Sequence, residues 1–227
     1  MDRDAVIQNN AGGGMDSRRL AIFDFDKTMV AGDSITDFVS FLRQKGLISF
    51  PRTLAIIGST LLWMLRLLPV EKAKSQALAP LRRLNEKDAA SLCREFVENR
   101  LAPRLFPAAK KAMQRHHLNS DIILLVSASP ACYLSHIRHY LPVDAVLATT
   151  TDSQYRVLTN VRGEEKPRQV KQWLMAQGIR PNWEDSCAYG DSKSDLPVLT
   201  LTGNPFWVNP SQSALKAAPR LPRLRWE

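Results

Sequence analysis

The segment RRLAIFDFDKTMVAGDS, residues 18–34, runs from an apolar stretch straight into two aspartates, Asp24 and Asp26, separated by a single residue. Leu20 to Phe23 present no polar face, which is the pattern of a strand buried on both sides of a sheet rather than on one. Two carboxylates at the mouth of such a strand stand where open α/β sheets carry their chemistry, in the loops beyond the carboxyl ends of the strands. Their spacing of two allows both side chains to leave the strand end on one side.

Downstream of this strand the texture changes. "DSITDFVSFLRQKG", the apolar run after Arg52 and "EKDAASLCREFVENRLAPRLF" all read as helix, and strand character returns only at "DIILLVSAS", residues 121–129. A helix from Ala131 to Tyr140, a short strand at "AVLAT", a hairpin around "QYRVLT", a helix through "EKPRQVKQWLMAQG" and strands at "DSCAYG" and "FWVN" follow. This alternation predicts an α/β fold with a mainly parallel sheet and crossover helices. The expected division is a core of residues 18–31 and 107–227, a helical domain over 32–106 inserted after the first strand, and a flexible lead over 1–17. That lead has no apolar h-region and so does not read as a secretory signal. The tail "AAPRLPRLRWE" reads as a loose, proline-punctuated end.

Three scattered cysteines, Cys93, Cys132 and Cys187, lack metal-ligand spacing and point to a reducing, cytoplasmic compartment. A formal charge of +9 makes an anionic membrane or a polyanion a physically reasonable partner. No zinc-finger or aromatic-basic reader motif accompanies the charge, so nucleic-acid binding is not expected. "AGGG" at 11–14 lacks the Gly-Lys-Ser/Thr of a P-loop. The uncharged run "TLAIIGSTLLWML" between Arg52 and Arg66 is too short to span a bilayer. It reads as a packed helix or as one lying at a membrane interface, with Arg43, Lys45, Arg52, Lys72 and Lys74 supplying positive charge around it. Peripheral contact with the inner face of the membrane follows from the second option.

Polar groups gather at three predicted strand ends. Besides Asp24 and Asp26 there are Ser127 after "IILLV", and Asp191 in "YGDSKSDLP" with Asp195 four residues on; Lys166 opens a helix between the last two groups. Each alone has a plainer explanation: turn-forming aspartates, a loop serine, a solvated lysine, an aspartate cap. Together and in this order they fit phosphoryl transfer. Close carboxylates gather oxygens for a hard cation such as Mg²⁺ and leave one free to attack phosphorus, while a serine and a lysine hold the nonbridging oxygens.

The order "DFDKT", "IILLVSAS", Lys166, "GDSKSD" resembles that of the haloacid dehalogenase superfamily over residues 18 to 210, in the branch similar to phosphoserine phosphatase, with a Rossmann-like core and an inserted helical cap. The resemblance implies Asp24 as nucleophile, Asp26 as general acid/base and, through its backbone carbonyl, metal ligand. It further implies Ser127 and Lys166 as phosphate contacts, and Asp191 as Mg²⁺ ligand with Asp195 supporting the metal. An acid two residues after the nucleophile implies phosphomonoester hydrolysis through an aspartyl-phosphate rather than dehalogenation. Asp33, nine residues after the nucleophile, matches the acidic position that meets a substrate amine in phosphoserine-type enzymes, and equally reads as a helix N-cap. The apolar, basic-flanked cap helix is similar in character to that of the bacterial phosphatidylglycerophosphate phosphatase of this branch, which implies a lipid-related or membrane-proximal substrate. A soluble amino-alcohol phosphate is the alternative, and a noncatalytic module for anionic lipid or nucleic acid is the alternative of another class. Lys27 stands where many relatives carry Gly and adds positive potential beside the site. His116 and His117, and His136 with His139, read as solvent-facing helix residues.

Overall fold

The computed structural model describes residues 17–227; the lead expected over 1–17 lies outside them except for its last residue. Seven strands form one sheet: β1 (Arg18–Phe23), β2 (Ile122–Pro130), β3 (Ala145–Thr151), β4 (Val157–Thr159), β5 (Pro181–Gly190), β6 (Asn204–Val208) and β7 (Arg223–Leu224). Their order is β4-β3-β2-β1-β5-β6-β7, parallel except for the β3–β4 hairpin. β1 is central because it is apolar on both faces: Ala21 and Phe23 enter one hydrophobic cluster, Leu20 and Ile22 the other, as a period of two requires.

Four helices, α1 (Ser34–Gln44), α2 (Phe50–Met64), α3 (Val70–Leu78) and α4 (Glu86–Phe96), follow β1 before α5 (Pro107–Leu118) leads into β2. Asp33 caps α1 and Asn85 caps α4 through side-chain bonds to the N–H groups of Thr36 and Asp88, which fixes where each helix starts. On this side Phe96 packs edge to face or tilted on Phe38 and Phe41, which are themselves stacked, and Phe38 and Phe96 pack against Tyr133 of α6 (Ala131–Leu134). The opposite face is covered by α7 (Glu165–Ala176), α8 (Leu196–Leu199) and α9 (Gln212–Ala217) over Val170, Leu174, Leu199 and Trp207.

Several readings of the sequence change. The tail is not loose: β7 pairs with β6, and Trp226, 7% exposed, packs beside Phe23 and Tyr189. The helix expected from Ala131 to Tyr140 is one α-turn followed by a 3₁₀ segment to His139. His116 does not face solvent; its ring bridges Asp121 and the Tyr189 hydroxyl at 2.8 Å each. Cys132, far from Cys93 in sequence, acts on the Cys93 thiol, and together with burial pushes it well up. The apolar helix α2 is not packed away, since only Ile56 and Ser59 of it are buried.

Candidate active site

Strand register brings the motifs together. Phe23 is level with Leu125 of β2 and with Tyr189 of β5. One step on, Asp24 stands between these neighbours, its N–H donating to the Tyr189 carbonyl at 2.9 Å. Ser127 and Asp191 lie one step further along their own strands. This is the point where the chain's path across the sheet reverses, β2 on one side of β1 and β5 on the other.

Lys166, on the first turn of α7, is 1% exposed. Its ammonium donates to Asp24 Oδ1 at 2.6 Å and to the Val126 carbonyl at 2.9 Å, and pairs with Asp195 Oδ1 at 2.7 Å. All three N–H bonds of the ammonium are thereby used. Asp195 Oδ2 accepts from the backbone N–H and hydroxyl of Ser192 at 2.9 and 2.7 Å. Gly190 makes this approach possible, because a Cβ there would lie 2.6 Å from Asp195 Cβ. Asp24 Oδ2 accepts from the Thr28 hydroxyl at 3.0 Å.

Carboxylate oxygens of Asp24, Asp191 and Asp195, all buried, lie within 4.8 Å of one another. Burial, and the charges of Asp195 and Asp191, push Asp24 up, with Lys166 opposing them. Burial and Asp195 likewise push Asp191 up to about 7. Burial works against the Lys166 ammonium, but Asp195 and Asp24 outweigh it and hold its pKa above the usual value. Three carboxylates thus share a single buried ammonium. The charge left over, presented on hard oxygen donors, is what a divalent cation of the Mg²⁺ type neutralises, so the residues present fit such an ion. Asp195 Oδ2 already accepts two protein donors and its Oδ1 pairs with Lys166, whereas each Asp24 oxygen accepts only one, so Asp24 and Asp191 keep more capacity for a metal.

Asp26 points elsewhere. Its Oδ1 accepts from the Ser34 N–H at 2.9 Å and its Oδ2 from the Ser129 hydroxyl at 2.6 Å. Ser129, Ser34 and Tyr133 continue as a chain of hydroxyls at 2.8 and 2.9 Å. Since Ser129 gives its proton to Asp26, Ser34 must donate to Ser129 and Tyr133 to Ser34. Burial, then the Asp26 charge, keep the Tyr133 phenol protonated for that role. Burial, followed by the negative charge of Asp33, raises the pKa of Asp26, against the two hydrogen bonds.

Ser127 is buried, and its Oγ accepts from the Ser129 N–H at 3.0 Å. Asp33 is exposed and engaged as the α1 N-cap, with Oδ1 bound to Thr36 N–H and Oγ1. Lys27 adopts φ 61°, the left-handed region that glycine enters freely, and its charge acts on Asp191. Ser34, Tyr133 and Lys74 escaped the sequence reading as site residues. Lys74 reaches from α3 to the Ala128 carbonyl at 2.5 Å and Asn160 Oδ1 at 2.6 Å. Burial lowers its pKa to about 8, with Asp26 opposing and Arg162 reinforcing the shift. Ser129, two residues after Ser127 on a strand, carried a signal in the alternation of "VSASP"; the other three carried none.

The haloacid dehalogenase-like hydrolase family profile matches residues 21–200. A histidinol-phosphatase of Neisseria meningitidis is 29% identical over 210 residues, 88% of this chain and 95% of that protein. A solved structure of a Bordetella pertussis protein of unknown function superposes with a TM-score of 0.82 at 25% identity, covering 92% of this chain and 98% of its own. A substrate-bound phosphoserine phosphatase complex superposes with a TM-score of 0.61 at 17% identity over 91% of this chain and 93% of that one.

Proposed function

The chain belongs to the haloacid dehalogenase-like hydrolases and is a phosphatase, and we propose that it hydrolyses phosphomonoesters with Mg²⁺ through a phosphoryl group carried on Asp24. The observation that carries this reading is the different surroundings of two neighbouring aspartates. Asp24 lies in the carboxylate cluster beside Lys166, whereas Asp26 lies outside it, held by Ser34 and Ser129 with a raised pKa.

Asp24 and Asp191, with the Asp26 carbonyl, would hold Mg²⁺, which when bound neutralises phosphate charge. An Asp24 carboxylate oxygen forms the new bond to phosphorus as the ester P–O bond breaks. Asp26 gives its proton to the departing alkoxide oxygen, then takes one from the water that attacks the phosphoaspartate, so inorganic phosphate leaves and both carboxylates are restored. Ser127 donates its hydroxyl to a nonbridging oxygen, and Lys166, whose three N–H bonds are used within the protein, acts on the phosphoryl group through its charge. Asp195 acts by fixing Lys166 rather than as a ligand. Helices α1 to α4 form the cap over the site, residues 32–106, and three unpaired thiols support a cytoplasmic setting.

For the substrate we infer a phosphorylated 2-amino alcohol, the class shared by histidinol phosphate and phosphoserine. The exposed Asp33 supports it as the carboxylate that meets the amine, and Lys74 as the cation that meets the substrate's negative charge. A second reading, a lipid-related or membrane-proximal phosphomonoester, is favoured by the exposed apolar side of α2. Phosphate release from histidinol phosphate, phosphoserine, phosphoethanolamine, glycerol phosphate and phosphatidylglycerophosphate in mixed micelles, each with Mg²⁺ and with chelator, tests both. Metal-dependent turnover of the soluble amines supports the first; turnover confined to the micellar substrate replaces it with the second. Release unaffected by chelator overturns the metal assignment.

A further inference from the structure

Twelve large apolar side chains are exposed among the described residues, and eight of them fall between Phe50 and Leu67. Phe50, Leu54, Ile57, Leu61 and Met64 follow one another at steps of four, three, four and three, so they form one stripe along α2, and Leu65 extends it. All six are more than half exposed, and the stripe lies away from Ile56 and Ser59, the buried side of the helix. Scattered apolar residues on a surface need no explanation, whereas a continuous stripe of this kind marks a docking surface.

The charge around the stripe selects its occupant. From Ser49 to Leu84 there are six basic residues against the single acidic Glu71. Lys74 is committed to Ala128 and Asn160, and Lys45, just upstream, to Glu95, so neither contributes to the face. Arg52, Lys72, Arg82 and Arg156, with Glu71 as the one acid, line a groove of about 750 Å³ between α2, α3 and β4, Arg52 and Arg82 each spending only one of their five N–H donors, on Gln76 and on the Gln154 carbonyl. Two copies of this surface meeting face to face would bring like charges together. A bilayer with anionic headgroups accepts both features, the stripe below the headgroups and the arginines against phosphate. No helix among the described residues is long and apolar enough to cross a membrane, so such contact would be in the plane of the interface.

We propose that α2, with the basic groove beside it, docks this protein on the surface of an anionic membrane. Docking sets where the enzyme resides and needs no particular substrate. The Arg162 guanidinium lies over the Trp63 ring of α2 at 5.6 Å, and Arg162 in turn acts on Lys74, so α2 is linked to Lys74 through one residue.

The test is sedimentation with vesicles of phosphatidylcholine alone or of equal parts phosphatidylcholine and phosphatidylglycerol, at low and high salt. The wild-type chain is expected to pellet with the anionic vesicles at low salt and to stay in solution with the neutral ones. Arg52→Gln with Arg66→Gln should lower the partition coefficient about fivefold for each arginine removed. Leu54→Glu with Leu61→Glu should abolish binding. Both variants should keep wild-type hydrolysis of a soluble aryl phosphate, which reports the fold separately from docking. The proposal is overturned if the wild-type chain stays in solution with anionic vesicles, if it binds neutral vesicles equally well, or if the leucine variant still binds. It is overturned equally by light scattering that shows a dimer dissociated by the leucine substitutions with no vesicle binding, because a second copy would then be the occupant.

Discussion

Replacing Asp26 with asparagine removes a proton donor while leaving nearly every contact in place. Asparagine Oδ1 still accepts from the Ser34 N–H, and its Nδ2 can donate to Ser129 Oγ, where the carboxylate had accepted. The hydroxyl chain then reverses direction: Ser129 donates to Ser34, and Ser34 to Tyr133. The buried Tyr133 O–H then loses Ser34 as its acceptor, so the variant should lose about 1–3 kcal/mol of stability, the cost of one unsatisfied buried donor. The chemical loss is larger, because general acid–base catalysis contributes roughly 10²–10⁴ in rate, or about 3–5 kcal/mol of barrier. It also depends on the leaving group. An alkyl phosphate needs the proton to form the aspartyl-phosphate and should turn over about 10²–10⁴ more slowly. An aryl phosphate expels a stable phenolate without it, so the variant should release about one equivalent of phenol in a burst and then stall, because no base activates the hydrolytic water. Rapid-quench kinetics with both esters, beside thermal unfolding, make the comparison. Alkyl phosphate turnover at the wild-type rate, or equal slowing of both esters without a burst, would refute the assignment.

Lys166→Met should be inactive and should lose about 3–5 kcal/mol of stability in chemical denaturation, since Asp24 and Asp195 would be left buried without their shared cation. The Lys74 ammonium is charged below its lowered pKa of about 8 and neutral above it. KM for a phosphomonoester should therefore rise as pH passes through 8 in the wild-type chain, and steady-state profiles of Lys74→Arg should stay flat to higher pH. Lys27→Gly relieves a left-handed backbone at a non-glycine residue and should gain about 1 kcal/mol in unfolding free energy, a gain that Lys27→Ala should not show.

The central sheet was legible because β1 and β2 are apolar on both faces and end abruptly in polar residues, a pattern that helices of this length do not give. Asp24, Ser127 and Asp191 could be collected because strand ends in a parallel sheet converge, whereas Lys166 and Asp195 lie on helical turns and were reached through the order of the motifs. Contacts that join distant, ordinary-looking residues were not legible. Lys74 has the sequence context of any solvated helix lysine, and nothing local shows that α3 places it over Asn160. Ser34 reads as one of several polar residues at a helix start, yet it links Asp26 to Tyr133. Pro219 and Pro222 made the tail look irregular, and the burial of Trp226 against Phe23 depends on a strand of only two residues. For α2 the sequence left burial and membrane contact both open, because apolar periodicity says that a face exists and not what covers it.

The most direct test of the account is to locate the phosphoryl group during turnover. The Asp26→Asn chain, mixed with an aryl phosphate and Mg²⁺, quenched in acid and mapped by peptide mass spectrometry, should carry one phosphoryl group, on Asp24. The same experiment on Asp24→Asn should give none. Steady hydrolysis by the wild-type chain with a phosphoryl group on any other residue, or turnover that survives Asp24→Asn, would contradict the account.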